Sequence, residues 1–399
     1  MSRAAFALHV LCLLLFMAVG SAQGQGIQRT FVSTSGIDTG NCALSAPCRT
    51  FTYALTQTAP GGEIIVLTSG GYGPVEITKS VQITSPIGVY AAITALPGSA
   101  IGGTDAIRVN AGFFDIVALR GLTLNNVGVT NANGITFPSG SRLYIENVVI
   151  NGFDNYGISV DRSASASPEL YVADTIIRNG GTASTNAGIF LRQANTNGRV
   201  RTTIANSRLE GAGSYGLLAT DNTRTTVRNT ISTRSFFIGF AVGASTGTTA
   251  QLNLDNCTAT FTNGVGIVAG ISPFTGGTAT AHISNSVSST NALEGITVGN
   301  GNTTHISRSI IAGNGSTGIF IGPNATAHVS DSIIGDNASD GVGLTNNSSA
   351  RIFVTATTIS GNGGKGLDRS VGTPFSIGGN RVFDNVGGSD AFASNIPQQ

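Results

Sequence analysis

A glycine that opens a short run of alternating apolar residues recurs along this 399-residue chain, and its spacing constrains the fold more than any other feature. It stands at Gly134 (GITF), Gly157 (GISV), Gly188 (GIFL), Gly216 (GLLA), Gly239 (GFAV), Gly266 (GIVA), Gly295 (GITV), Gly318 (GIFI), Gly341 (GVGL) and Gly366 (GLDR). Successive separations are 23, 31, 28, 23, 27, 29, 23, 23 and 25 residues, so 23 is a floor and the longer intervals are turn insertions. Each period carries a second apolar pair, as at Val149-Ile150, Ile176-Ile177, Ile310-Ile311 and Ile333-Ile334. Alternation of period two marks strands with one buried face, and no segment offers the i, i+3, i+4 pattern of a long helix. One such unit cannot bury its own apolar face, but stacked units share a continuous core. The fold class read from this pattern is all-β, a single-stranded parallel β-helix.

Less regular repeats extend the pattern backward through residues 122–124, 106–109, 81–84, 75–78 and 63–67. The total is about 12 coils, which at ~4.8 Å each gives a rod on the order of 58 Å long. Before them, residues 50–58 (TFTYALTQT) are the one predicted helix, with Phe51, Ala54 and Leu55 on one face and Pro60-Gly61-Gly62 as the stop. A short helix there covers the open edge of the first coil.

Composition agrees. Only 10% of residues are charged and 55 are Gly, while 40% are hydrophobic, too many for a disordered chain. Two lysines in the whole chain argue against a helical bundle. The 21 basic residues balance the 20 acidic ones, so no charge excess steers the protein to nucleic acid.

The first residues read as an export signal: Arg3, an apolar run over residues 4–19, then Gly20-Ser21-Ala22 as a small-residue cleavage site. Cleavage is expected after Ala22, and Cys12 lies inside the apolar run rather than after a small residue. No later stretch is long enough for a transmembrane helix. The expected division is 1–22 signal peptide, 23–61 N-terminal cap, 62–389 β-helix and 390–399 tail. Cys42 and Cys48 close a short loop that suits a disulfide in an oxidising compartment. Metal binding is the rival reading, with no His nearby to assist it. Cys257 occupies a repeat position filled elsewhere by Ser or Thr, so a small buried side chain is expected there.

Asn291, Asn314, Asn337 and Asn362 each lie four residues before a repeat glycine, and Asn385 continues the series. Stacked one coil apart, their amides can hydrogen-bond along the axis. Glycan or metal binding is the alternative use of such a row.

The order of an export signal, a Cys pair, PCRTFTYAL, PGGEIIVLTSGGYGPVEITKSVQITSP and coils with Asn-x-x-x-Gly-Ile turns resembles bacterial exported proteins of the pectin-lyase-like superfamily. The resemblance covers nearly the whole mature chain. It implies a right-handed β-helix and a secreted, periplasmic or cell-surface location. It specifies fold more than function, because this fold hosts lyases, hydrolases, epimerases, adhesins and proteins without activity. Where members are enzymes, the resemblance implies a polysaccharide groove on the outside of one sheet. It also implies clustered carboxylates, with Ca²⁺ and an Arg or Lys base for lyases or paired acids for hydrolases.

Such a groove would be lined by the outward positions of successive coils. Two residues after the repeat glycine stand Thr136, Ser159, Phe190, Leu218, Ala241, Val268, Thr297, Phe320, Gly343 and Asp368, a row nearly free of acid. The best acidic patch is Asp161 and Asp221, with Arg162 and Arg192 between them, as candidate catalytic residues. Ordinary solvated charge and Asp–Arg pairing across coils is the structural alternative. On another sheet Tyr144, Tyr171, Thr203, Thr226, Asn253, His282, His305, His328 and Phe353 share one outward column. Tyr144 and Tyr171 are candidate sugar platforms. His282, His305 and His328 are candidate metal ligands, or a side-chain stack inherited from duplication. No cofactor is expected, and Ca²⁺ only for a lyase. The sequence thus favours an exported, non-catalytic rod that presents a repetitive face to glycan or another envelope component. A polysaccharide lyase or glycoside hydrolase is the alternative.

Overall fold

The structure, a computed structural model, describes residues 26–97, 103–180, 186–345, 349–369 and 372–395. The expected signal peptide, its Ala22 cleavage site and the last four residues of the expected tail lie outside the described residues. The described chain winds as a right-handed parallel β-helix whose three sheets have 15, 13 and 12 strands. Each outward column of the repeat becomes a register line. In the 15-stranded sheet Tyr144 pairs with Tyr171, Asn253 with His282, His282 with His305, His305 with His328 and His328 with Phe353. Phe375 extends that line by one coil.

Inward positions build one continuous core from Val32 to Leu367. Ile283, Ile306 and Val329, next to the three histidines, are each 2% exposed, as their alternation demands. The repeat glycine is explained by close approach. A Cβ on Gly318 would lie 2.7 Å from the carbonyl oxygen of Gly341 in the next coil, so only glycine lets the coils stack at this corner.

Two ladders satisfy the buried corners. Asn291, Asn314, Asn337 and Asn362 each donate Nδ2 to the Oδ1 of the next, at 2.9, 2.9, 2.9 and 2.8 Å, the last step ending on Asn385. At another corner Ser286 Oγ accepts from the Cys257 N–H at 3.1 Å, and Ser309 Oγ accepts from the Ser286 N–H at 3.2 Å. Cys257 continues this hydroxyl row, its thiol donating to the Asp255 carbonyl at 3.4 Å. Burial pushes that thiol up to about 11.

The 13-stranded sheet puts the coil number at about 13, one more than the sequence suggests. Terminal coils carry strands as short as Gly70–Gly71 and Leu367–Asp368, too short for alternation to announce. The N-terminal helix spans Phe51–Gln57, capped by Thr50 Oγ1, which accepts from the Tyr53 N–H. It buries Phe51, Ala54 and Leu55, and the Phe51 ring lies 5.2 Å from that of Tyr72. Cys42 and Cys48 are disulfide-bonded. Among the described residues no helix is long and apolar enough to cross a membrane.

Candidate functional site

The outer face of the 12-stranded sheet departs from the plain alternation of buried and solvated residues. Ser159, Phe190, Leu218, Ala241 and Val268 form one outward register line. Leu218, Ala241 and Val268 nevertheless retain only 3%, 0% and 5% exposure. Here the expected outward row is corrected: it is covered. A strap over residues 270–277 folds back across it, and Ile271 and Phe274 pack with Phe190, Leu218 and Val268 into a second apolar cluster outside the solenoid. The strap lies so close that a Cβ on Gly243 would come within 2.9 Å of both Ile271 and Phe274.

The base of the strap is tied down. Gly277 and Thr278 donate backbone N–H groups to Ala244 and Thr248 at 3.0 and 3.2 Å. Asp221 clamps the same turn from below, accepting from the Ser245 N–H at 2.7 Å and the Thr248 hydroxyl at 2.9 Å. Its side chain is therefore committed to holding the turn on which the strap rests.

Between strap and sheet opens a cleft of about 390 Å³, within the range of ligand sites. Its floor is aromatic: Tyr156 and Phe190 stack at 4.8 Å with planes 13° apart, Tyr215 adds a third ring and Phe274 walls one end. Asp161 and Arg192 stand at the cleft on neighbouring strands Tyr156–Arg162 and Ala187–Gln193, in register. Arg192 donates Nε and Nη2 to the two Asp161 oxygens, both at 2.8 Å, and its guanidinium sits 5.9 Å from the Phe190 ring centroid. The hydrogen bond to Asp161 holds the Arg192 pKa above its usual value. Burial raises the Tyr156 and Tyr215 phenols, with Asp161 adding to the effect at Tyr156. Both phenols thus remain hydrogen-bond donors at neutral pH. The cleft combines flat rings, phenolic donors, one carboxylate and the free Nη1 edge of a guanidinium. That set suits a ligand with apolar ring faces and many hydroxyls.

The structure brings Asp161 and Arg192 together but separates them from Arg162. Alternation turns Arg162 inward, 4% exposed, where Nη1 and Nη2 donate to the carbonyls of Phe137 and Gly140 at 3.2 Å each. It lies over the Phe137 ring, and burial lowers its pKa to about 10. Sequence reasoning missed Tyr156, Tyr215 and Phe274. The legible signal was an outward row that turns apolar over Phe190, Leu218, Ala241 and Val268, because such a row needs a cover.

The other candidate groups lie on the 15-stranded sheet. Tyr144 and Tyr171 stack at 4.8 Å and 9°, so each uses one ring face on the other, and the Tyr171 hydroxyl donates to Glu169 at 3.1 Å. His282, His305, His328, Phe353 and Phe375 form one stack with centroids 4.8–4.9 Å apart and planes within 11°. A metal needs ring nitrogens converging to about 2 Å, whereas parallel rings carry their in-plane lone pairs side by side. Among the described residues no three His, Cys, Asp or Glu side chains are grouped to hold a metal ion. The cleft carboxylate is likewise engaged by Arg192, a poor start for the six to eight oxygens of Ca²⁺.

In sequence, residues 241–396 match the family described as a right handed beta helix region. No curated protein matches the chain. Among solved structures, it is similar to the A-module of the Azotobacter vinelandii mannuronan C-5 epimerase AlgE4, at 16% identity and TM-score 0.54, over 85% of this chain and 91% of that one. It is also similar to XylC in complex with xylose, at 10% identity and TM-score 0.53, over 86% of this chain and 77% of that one. These are likenesses of architecture, and with the register described above they identify the fold of the chain as a right-handed parallel β-helix.

Proposed function

We propose that the protein acts on a polysaccharide held in the cleft between the strap and the 12-stranded sheet. The observation that carries this reading is the convergence of the Tyr156–Phe190 stack with the Asp161–Arg192 pair in one walled cavity. The similar structures support it, one being a mannuronan epimerase and the other holding xylose. This favours the polysaccharide-active alternative over the non-catalytic rod that composition suggests.

The residues in the cleft argue for one kind of chemistry. Hydrolysis by the usual route needs two carboxyl groups about 5–9.5 Å apart across the scissile bond, and among the described residues the cleft lining contributes Asp161 alone. Proton transfer next to a uronate carboxyl needs a cation facing that carboxyl and one group that moves the proton. The Nη1 edge of Arg192 supplies the first, and the Asp161 carboxylate the second. A second reading, binding without turnover, is favoured by the bidentate engagement of Asp161, which already occupies both of its oxygens. Export is supported by the Cys42–Cys48 disulfide together with the signal-like first 22 residues.

The test is incubation with a panel of polyuronates and neutral polysaccharides, with and without Ca²⁺, following unsaturated-product absorbance, reducing ends and uronate epimer ratio. Turnover lost in Asp161→Asn supports the enzyme. Binding of a panel member without turnover supports the second reading. Neither binding nor turnover, in folded protein, rules out both.

A further inference from the structure

We infer that the cleft takes the end of a polysaccharide chain rather than its middle, with Phe274 as the residue that sets this specificity. The inference rests on the polysaccharide reading above. The outward line of the 12-stranded sheet runs along the rod axis, one residue per coil: Glu76, Arg108, Thr136, Ser159, Phe190, Leu218, Ala241 and Val268. A chain bound across successive coils must follow this line. Toward the N-terminal coils the line is polar through Ser159, itself 7% exposed, and opens at Arg108 and Glu76, whose side chains are 34% and 32% exposed and joined by an ion pair at 3.7 Å. Toward the C-terminal coils it is closed. Past Tyr215 stand Pro273 and Phe274, and Ala241 and Val268 beyond the cleft have almost no surface left to offer a sugar.

The wall is built rather than draped. Ile271 and Phe274 are seated in the second apolar cluster and pressed against Gly243, while Asp221 fixes the turn that the strap leans on. A chain entering over Arg108 and Thr136 therefore meets Phe274 and stops, and its terminal unit lies against the part-exposed Tyr156 and Tyr215 rings beside Asp161 and Arg192. An interior unit would need a path through the strap. Any turnover then releases or alters units from one end of the chain.

The experiment compares binding of xylose and mannuronate oligomers that are unmodified, blocked at the reducing end by a bulky amine, or blocked at the other end by a bulky acyl group. One block, and only one, should weaken binding to the wild-type protein by at least about tenfold, the cost of forcing extra volume against a packed wall. In Phe274→Ala that penalty should shrink, because the group now projects past the strap. Equal affinity for blocked and unmodified oligomers overturns the chain-end inference while leaving the polysaccharide reading standing. Failure of every oligomer, blocked or not, to bind folded wild-type protein overturns both. The wild-type comparison decides the matter even if Phe274→Ala does not fold.

Discussion

Arg192 and Asp161, 31 residues apart in sequence, face each other across one strand pairing and share two hydrogen bonds of 2.8 Å over an aromatic floor. Both side chains are more than a third exposed, at 36% and 41%. Their pairing therefore contributes little to folding, within about 1 kcal/mol. Asp161→Asn should leave the melting temperature within a few degrees of wild type while reducing polysaccharide binding or turnover at least about tenfold. A large loss of stability with unchanged binding would make the pair structural instead.

The amide ladder makes the opposite prediction. Asn337 Oδ1 accepts from both the Asn314 N–H and its Nδ2, and Asn337 Nδ2 donates to Asn362 and to the Ile311 carbonyl. Asn337→Ala strands these groups in a buried corner, at about 1–3 kcal/mol for each polar group left unpaired. Denaturant unfolding should show a loss on the order of 2–4 kcal/mol. Asn197→Ala, at an exposed turn, should lose less than about 0.5 kcal/mol. Similar losses at the two positions would refute the ladder as a stabilising element.

Cys257 tests the hydroxyl row. Cys257→Ser places the row's usual residue there and should hold or raise the melting temperature. Cys257→Val removes the acceptor used by the Thr230 N–H and should cost about 1–3 kcal/mol. In the native wild type the thiol should resist alkylation, since it is 2% exposed and its pKa is pushed up to about 11. Rapid labelling under native conditions would contradict its burial.

The histidine stack predicts acid sensitivity. Burial, and then the neighbouring His305, lower the folded pKa of His282 and His328 below the ordinary imidazole value. The unfolded chain therefore binds protons more readily. The stack contributes fully above the unfolded pKa of about 6.5, and its contribution is lost as pH falls through the lower folded values. Melting temperature should decline between about pH 7 and pH 5, and His328→Phe, which prolongs the Phe353–Phe375 stack, should flatten that decline. An equally steep decline in the variant would assign the acid sensitivity elsewhere.

Much of the architecture was legible because a solenoid repeats its constraints. Gly318 and its equivalents, the Asn291–Asn385 row and the His282–His305–His328 column each recur at one coil, so period alone places them. The candidate site was legible only in part. Asp161 and Arg192 lie on outward positions, as alternation predicts, whereas Arg162 follows Asp161 directly and the same alternation turns it inside. Asp221 looks like a second active-site acid until the Ser245–Thr248 turn it holds is in view. The strap was hidden for a different reason. It falls in the 29-residue interval between Gly266 and Gly295, visible as an insertion, but its folding back across three coils is a tertiary choice without periodicity. The apolar outward residues Phe190, Leu218 and Val268 were its one signature, readable as a buried patch only with the cover in place.

The most direct test of the central claim is the affinity of the best polysaccharide from the panel for wild type, Tyr156→Ala and Tyr144→Ala, measured side by side by titration calorimetry. Tyr156 is in the cleft and Tyr144 lies on a different sheet, yet both are aromatic, part-exposed and stacked on a neighbouring ring. If the cleft is the site, Tyr156→Ala weakens binding at least about tenfold and Tyr144→Ala leaves it unchanged. The reverse pattern, or equal small effects, would contradict the cleft and move the binding surface to the 15-stranded sheet.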